Sequence, residues 1–328
     1  MRVLLRRLGF YLLAAWVALT VNFFLPRLVP GNPVATAIGH LTFVNAQVVD
    51  AIKAQFGVGI NDSIWIQYVH YWGDLIHGNL GVSWGNSFEP VTSLIGAALP
   101  WTLGLLGVAT VVSFLLGTFI GIGLGWMRSP WLDWLIPGAT FFQAIPYFFL
   151  GTVLLMAFAT GLHWFPISQG YQTTGVESVT PGLNWAYLVS LIDHGVLPAS
   201  TIVLTSIAGW MLGMRNMMVI TMDEDFVLVA RAKGLPARKV VWYAARNAIL
   251  PSVANFSLAI SLVVAGQLLV EIVFSYPGIG YLLFHAVTNQ DYPMVQGIFL
   301  VITLVVLLAN FLADIVYVSL DPRVRQEA

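Results

Sequence analysis

Six nearly uncharged apolar runs, at about residues 8–26, 102–127, 135–160, 196–217, 253–274 and 295–318, decide most of what this chain can become. A helix of roughly 20 mainly apolar residues crosses the hydrocarbon layer of a bilayer, which is about 30 Å thick. No water is present there to bond the backbone, so every N–H and C=O must find a partner within the protein. A helix meets that demand inside one segment, and runs of this length suit helices rather than barrel strands. The chain is therefore predicted to be an all-α integral membrane protein with six transmembrane helices.

Composition narrows the chemistry. Only 9% of the residues are charged and mean hydropathy is +0.83. A formal net charge of −1 offers no global field for nucleic acid. The absence of cysteine removes disulfides, thiolate metal sites and cysteine nucleophiles. The N-terminal "MRVLLRRLGFYLLAAWVALTVNFFLP" begins like a signal peptide. Its apolar run is long for one, however, and no small-residue cleavage site follows, so an uncleaved first helix is expected.

Basic residues flanking spans tend to remain cytoplasmic. With the N-terminus inside, 12 of the 14 Lys and Arg fall on the cytoplasmic side, and only Arg27 and Lys53 fall outside. Both termini are then cytoplasmic and all six His lie on the outer side. The expected organisation is an N-terminus and first helix (1–27), an external insertion (28–100) and a core transmembrane domain (101–328). The core carries one large cytoplasmic loop at 221–251. No internal repeat is visible, and the two halves do not resemble inverted copies, which argues against a secondary transporter.

That loop, "DEDFVLVARAKGLPARKVVWYAARNAILP" from 223 to 251, holds eight of the chain's 29 charged residues. Asp223, Glu224 and Asp225 suit a helix N-terminus. Phe226, Val229, Ala230 and Lys233 recur at helical spacing. Gly234 permits a left-handed stop and Pro236 suits the first turn of a second helix, about 237–249. Val240, Val241, Ala244, Ala248 and Ile249 share one side of that helix, while Arg238, Lys239, Arg246 and Asn247 face elsewhere. Two readings stand: a folded loop held inside by its charge, or a docking element. In the second, small Ala230 and the Gly234 turn let a partner groove approach.

The loop resembles the cytoplasmic coupling loop of permease subunits in binding-protein-dependent ABC importers. Ala230 and Gly234 match that family's Glu-Ala-Ala-x-x-x-Gly pattern, while Leu228 and Val229 stand where Glu and Ala would be. The distance from Gly234 to Pro251 is also long. Both departures look like the peptide-type branch, whose members carry oligopeptides, dipeptides, nickel or oligosaccharides. "RLVPGNP", "HGNLGVSW", "PVTSLIGAALPWTLGL", "EIVFSYPGIGYLL", "DYPMVQG" and "LDPRVR" resemble the same branch, in order, over nearly the whole chain.

The resemblance implies a type I ABC importer permease fold with an outer-side insertion after the first helix. It implies half of a translocation pore in a bacterial or archaeal cytoplasmic membrane, with a second homologous permease subunit, two cytoplasmic ABC ATPase domains and an extracytoplasmic solute-binding protein. The coupling helix falls at about Glu224–Gly234. Glu224, Asp225, Ala230, Lys233, Gly234, Leu235, Arg246, Asn247 and Pro251 are the expected ATPase-coupling residues. The chain lacks GxxxxGK[ST], so ATP and Mg are expected on the partner ATPases; no cofactor and no enzymatic activity are expected of this chain itself.

Other residues carry open alternatives. Pro146 interrupts the third run and is expected to kink it. Gln143, Pro146 and Tyr147 then either line a solute path or belong to a lipid-facing aromatic helix. Glu271, Pro277 and Gly278 suggest an outer gate, with Pro277, Gly278 and Gly280 setting a tight turn; otherwise Glu271 is a helix-end carboxylate in water. Arg215 and Asp314 are expected to pair across helices. The outer His are read as interfacial and no metal site is expected. "IWIQYVHYWGDLIHG", with Trp65, Tyr68 and Trp72, predicts an amphipathic helix on the outer surface, in contact with lipid and offered to the solute-binding protein.

Three functions compete. The first is the importer permease for short peptides or oligosaccharides. The second is an ion-coupled secondary transporter using Glu271 or Asp314, with nickel import as a variant within the family. The third is a membrane-embedded enzyme, for which no HExxH, thiol or convergent constellation is present.

Overall fold

The computed structural model describes residues 2–28, 63–86, 88–127, 134–173, 178–253, 255–256, 259 and 268–320. Helix dominates: α1 (Arg2–Leu28), α2 (Ile64–Ile76), α3 (Val91–Met127), α4 (Leu135–Ala144), α5 (Tyr147–Leu154), α6 (Trp185–Met222), α7 (Asp225–Ala232), α8 (Ala237–Ala248), α9 (Leu268–Val273), α10 (Ile279–Thr288) and α11 (Tyr292–Leu320). A π-helical turn, Leu155–Gly161, continues α5. A two-residue antiparallel ribbon pairs Val82 with Pro90 and Ser83 with Glu89.

Among the described residues, four helices are long and apolar enough to cross a membrane, and the bent pair of α4 with α5 and its π-turn makes a fifth. The expected span at 253–274 lies largely outside the described residues. Two expected spans are only the inner parts of longer helices. The run placed at 102–127 starts at Val91 with Pro100 inside it, and the run placed at 196–217 starts at Trp185 with Pro198 inside it. Asn184 caps the latter, its side chain accepting from the Tyr187 N–H at 2.8 Å, so the helix begins a full three turns before its purely apolar stretch.

The chain divides into two compact units. The first comprises residues 1–101 and 277–311. Its core packs Val91, Ile95, Ala98, Ile279, Ala286, Met294 and Ile298. The predicted aromatic helix forms as α2 and lies against α1. Tyr68 bonds Thr20 at 2.7 Å, Tyr68 and Tyr71 pack on Phe23, and Arg27 donates to Gln67. Asp291 caps the start of α11 from a buried position. It accepts from Ser83 Oγ at 2.5 Å, Gly85 N–H at 3.0 Å and Met294 N–H at 3.3 Å.

The second unit comprises residues 102–276 and 312–327. Here α3 and α6 approach so closely that no side chain fits between them at three places. A Cβ on Gly117 would fall 2.6 Å from Trp210 Cβ, one on Gly121 2.5 Å from the Met211 carbonyl oxygen, and one on Gly125 2.5 Å from Met218 Cβ. The spacing of four residues puts all three glycines on one face, the small-xxx-small device that lets membrane helices touch backbone to backbone.

Candidate functional site

The loop after α6 forms a helix–turn–helix close to the predicted one. Glu224 is the N-cap residue of α7, without a side-chain cap hydrogen bond, and Asp225 lies in the first turn, where an acid complements the exposed N–H groups. The exit is a glycine turn of defined chemistry. Gly234 takes φ +73°, its N–H bonds the Arg231 carbonyl at 2.9 Å, and the Leu235 N–H bonds the Ala230 carbonyl at 3.2 Å. This pair of bonds is the Schellman motif, and its usual apolar contact is made as Leu235 packs against the cluster containing Ala230. Pro236 stands just before α8 as its N-cap, one position earlier than expected, because the turn ends in extended backbone.

Both helices fold back onto the end of α6. Met214, Met218 and Met222 pack with Val227 and Ala230 of α7 and with Val240, Ala244, Ala245 and Ala248 of α8; Ile122 and Trp126 of α3 close the cluster. Alanine at three α8 positions leaves room for the long, pliable methionine side chains. The inward side of α7 is not the Phe226, Val229, Ala230 and Lys233 repeat. Val227 and Ala230 are buried, while Phe226, Leu228 and Val229 are exposed. Ala230 is thus a packing residue of this chain's own core, not a small residue offered to a partner groove. Val227 was missed because a helix of eight residues carries too few repeats to fix its face.

The other expected coupling residues lie on the surface: Glu224, Asp225, Lys233, Gly234, Arg246, Asn247 and Pro251 are exposed and Leu235 is half-buried. The Asn247 amide donates to the Tyr243 carbonyl at 3.1 Å. Arg231 stands over the Trp126 ring at 5.9 Å, which ties α7 to α3. The outward side of the pair carries the exposed side chains of Phe226, Leu228, Val229, Trp242 and Tyr243.

Pro146 does more than kink. Ile145 takes ψ 129° and Pro146 ψ 128°, both extended, and the helices on either side diverge by 102°. A proline disfavours helical backbone at the residue before it, and Ile145 obeys. Gln143 and Pro146 are exposed and Tyr147 half-buried. The Gln143 amide lies beside Gly209 of α6, whose Cβ, if it had one, would sit 3.6 Å from it.

Glu271 is fully buried in α9, which corrects its reading as a carboxylate in water. The following turn is also made differently. Ser275 takes φ +47°, and the Tyr276 N–H bonds the Glu271 carbonyl at 2.8 Å, whereas Gly280 lies inside α10 and Gly278 is its extended N-cap. Burial, with Glu271 and Tyr187 nearby, pushes the Tyr276 phenol up to about 12. Pro277 is half-buried. Arg215 and Asp314, on α6 and α11, are both half-buried. His194 is buried within α6, its Nδ1 2.8 Å from the Ser190 carbonyl, rather than interfacial.

Residues 113–326 match the family model described as the binding-protein-dependent transport system inner membrane component. The chain is similar to the oligopeptide transport system permease protein AppB of Bacillus subtilis, at 30% identity over 93% of each chain. It is similar to the di/tripeptide transport system permease protein DppB of Pseudomonas aeruginosa, at 34% identity over 98% of each. A putative peptide permease protein of Brucella suis is 33% identical over 94% of each.

Proposed function

Because the chain belongs to the inner membrane components of binding-protein-dependent transport systems, we propose that it forms half of the pore of an ATP-driven importer of short peptides. A second permease subunit completes the pore, two ATPases dock beneath the α7–α8 pair, and an external binding protein delivers the solute. Glu224, Asp225, Lys233 and Gly234 meet the ATPase, and α7 carries its motion into α6 and α3. The bend at Pro146 opens a path beside Gln143 and Tyr147, and Glu271 with Pro277 and Gly278 stands at the gate. The observation that supports this reading most is the exposed Phe226–Leu228–Val229 surface on a helix whose opposite side is anchored by Val227 and Ala230. An element tied to two spans and apolar on its free side is suited to pass force from a separate motor.

Peptides rank first as substrate because the named relatives carry them. Reconstitution of the permease pair with and without its ATPases, with binding protein and labelled peptide outside, tests the assignment. Uptake that requires ATP and the ATPases is expected. Uptake driven by an ion gradient alone would reverse the assignment to a secondary transporter.

A further inference from the structure

We propose that the outward stripe of α8, formed by Lys239, Trp242, Tyr243 and Arg246, binds the headgroups of anionic phospholipids. The position of the helix sets the depth. At 1.5 Å per residue the 38 residues of α6 run about 57 Å, far more than the roughly 30 Å of hydrocarbon, so its ends stand in the headgroup layers or beyond. The apolar run within it ends near residue 217, and α8 packs against Met214, Met218 and Met222. The helix therefore lies where the span leaves the hydrocarbon.

The chemistry of the stripe matches that layer. At about 100° per residue, Lys239 and Arg246 sit some 20° apart, and Trp242 and Tyr243 flank them within about 60°. The buried residues Val240, Ala244 and Ala248 are turned to the opposite side. Trp242 is 69% exposed and Tyr243 49% exposed. Two such aromatics at the centre of an outward face need an amphipathic environment, which the interface supplies. The helix has three cations and no acid. Among the described residues, neither the Lys239 nor the Arg246 side chain has an ion-pair partner. Cations without counter-charge beside exposed Trp and Tyr complement a negatively charged lipid surface. On α7, by contrast, Glu224 and Asp225 would be repelled by it.

The absence of cysteine makes the test direct. Trp242→Cys in the full chain, spin-labelled and reconstituted in lipid nanodiscs, reports contact through relaxation by oxygen or by a water-soluble metal chelate. With phosphatidylglycerol present, the label is expected to be shielded from the chelate; in phosphatidylcholine alone it is not. Lys239→Gln and Arg246→Gln should each weaken the apparent phosphatidylglycerol affinity about five-fold, and Lys239→Arg should keep it. Equal exposure of the label in both lipids overturns the proposal. So does shielding that appears only when an ATPase or a second permease is added, since the stripe then belongs to a protein.

Discussion

The chain turns sharply at Gly234 and at Pro146, and the two turns are built on opposite principles. At Gly234 the backbone enters a region that only glycine occupies freely, and everything around the turn is fastened: two carbonyls are bonded and Leu235 is packed. At Pro146 the backbone is ordinary and extended, and although α4 and α5 both pack on α6, side chains beside the break are open to the surface. Phe141, Gln143, Phe148 and Phe149 are exposed, and the break rests on the missing N–H and the restricted Ile145. The first turn is fixed by what surrounds it, the second by one ring. Under the proposed function, a turn that passes force belongs to the first kind, and one that leaves a path belongs to the second.

The largest test of that contrast is Gly234→Val. A β-branched residue held at φ +73° is strained by about 1–3 kcal/mol, enough to reshape the turn. Peptide uptake per ATP hydrolysed should fall about five-fold or more, since about 1.4 kcal/mol is a factor of ten, measured in the reconstituted complex. Unchanged coupling would reduce the turn to a connector. Next, Ala244→Leu overfills the methionine-lined cluster and should cost about 1–3 kcal/mol in thermal unfolding, showing that packing fastens the loop.

A third kind of entry, at Asp291, is held by a carboxylate and sharpens the comparison. Burial raises the Asp291 pKa above 3.8, against the lowering effect of its bonds to Ser83, Gly85, Met294 and Trp84. The folded chain thus keeps this proton to higher pH than the unfolded chain. The stability gained from the protonated form is complete below the unfolded value and is lost as pH rises through the folded one. Asp291→Asn should remove that acid-range slope and, having fewer acceptors for the same donors, cost about 1–2 kcal/mol at neutral pH. A slope that persists would locate the titrating group elsewhere.

The smallest effect is expected from Pro146→Ala. Stability should change by less than about 1 kcal/mol, since Pro146 itself is exposed. Spin labels on α4 and α5 should nonetheless move apart as the segment straightens. A retained 102° bend would mean that packing, not the ring, sets the angle.

What could be read in advance follows from this physics. The membrane class, the helix pair and the left-handed glycine were legible because long apolar runs, acids at a helix start and a Gly-Leu-Pro exit are local signals. The inward face of α7 was not legible, because Val227 is buried by methionines of α6 that sequence spacing does not bring near. Burial of Glu271 was hidden for the same reason, and Ser275 took the strained position that the neighbouring glycines seemed made for. The helix starts at Val91 and Trp185 were not legible, because an apolar run marks where a span crosses and not where its helix begins. The close approach at Gly117, Gly121 and Gly125 has a local signal, since four-residue intervals of glycine in an apolar run mark a helix contact.

Those three glycines constrain how the molecule can work. Two rods whose backbones touch at successive turns have no cushion of side chains along which one could slip, and interlocked surfaces resist twisting as well. Over the stretch from Gly117 to Gly125, α3 and α6 must travel together through any transport cycle. Opening and closing then falls to joints outside that welded pair, and a cross-link placed within it should leave the cycle untouched.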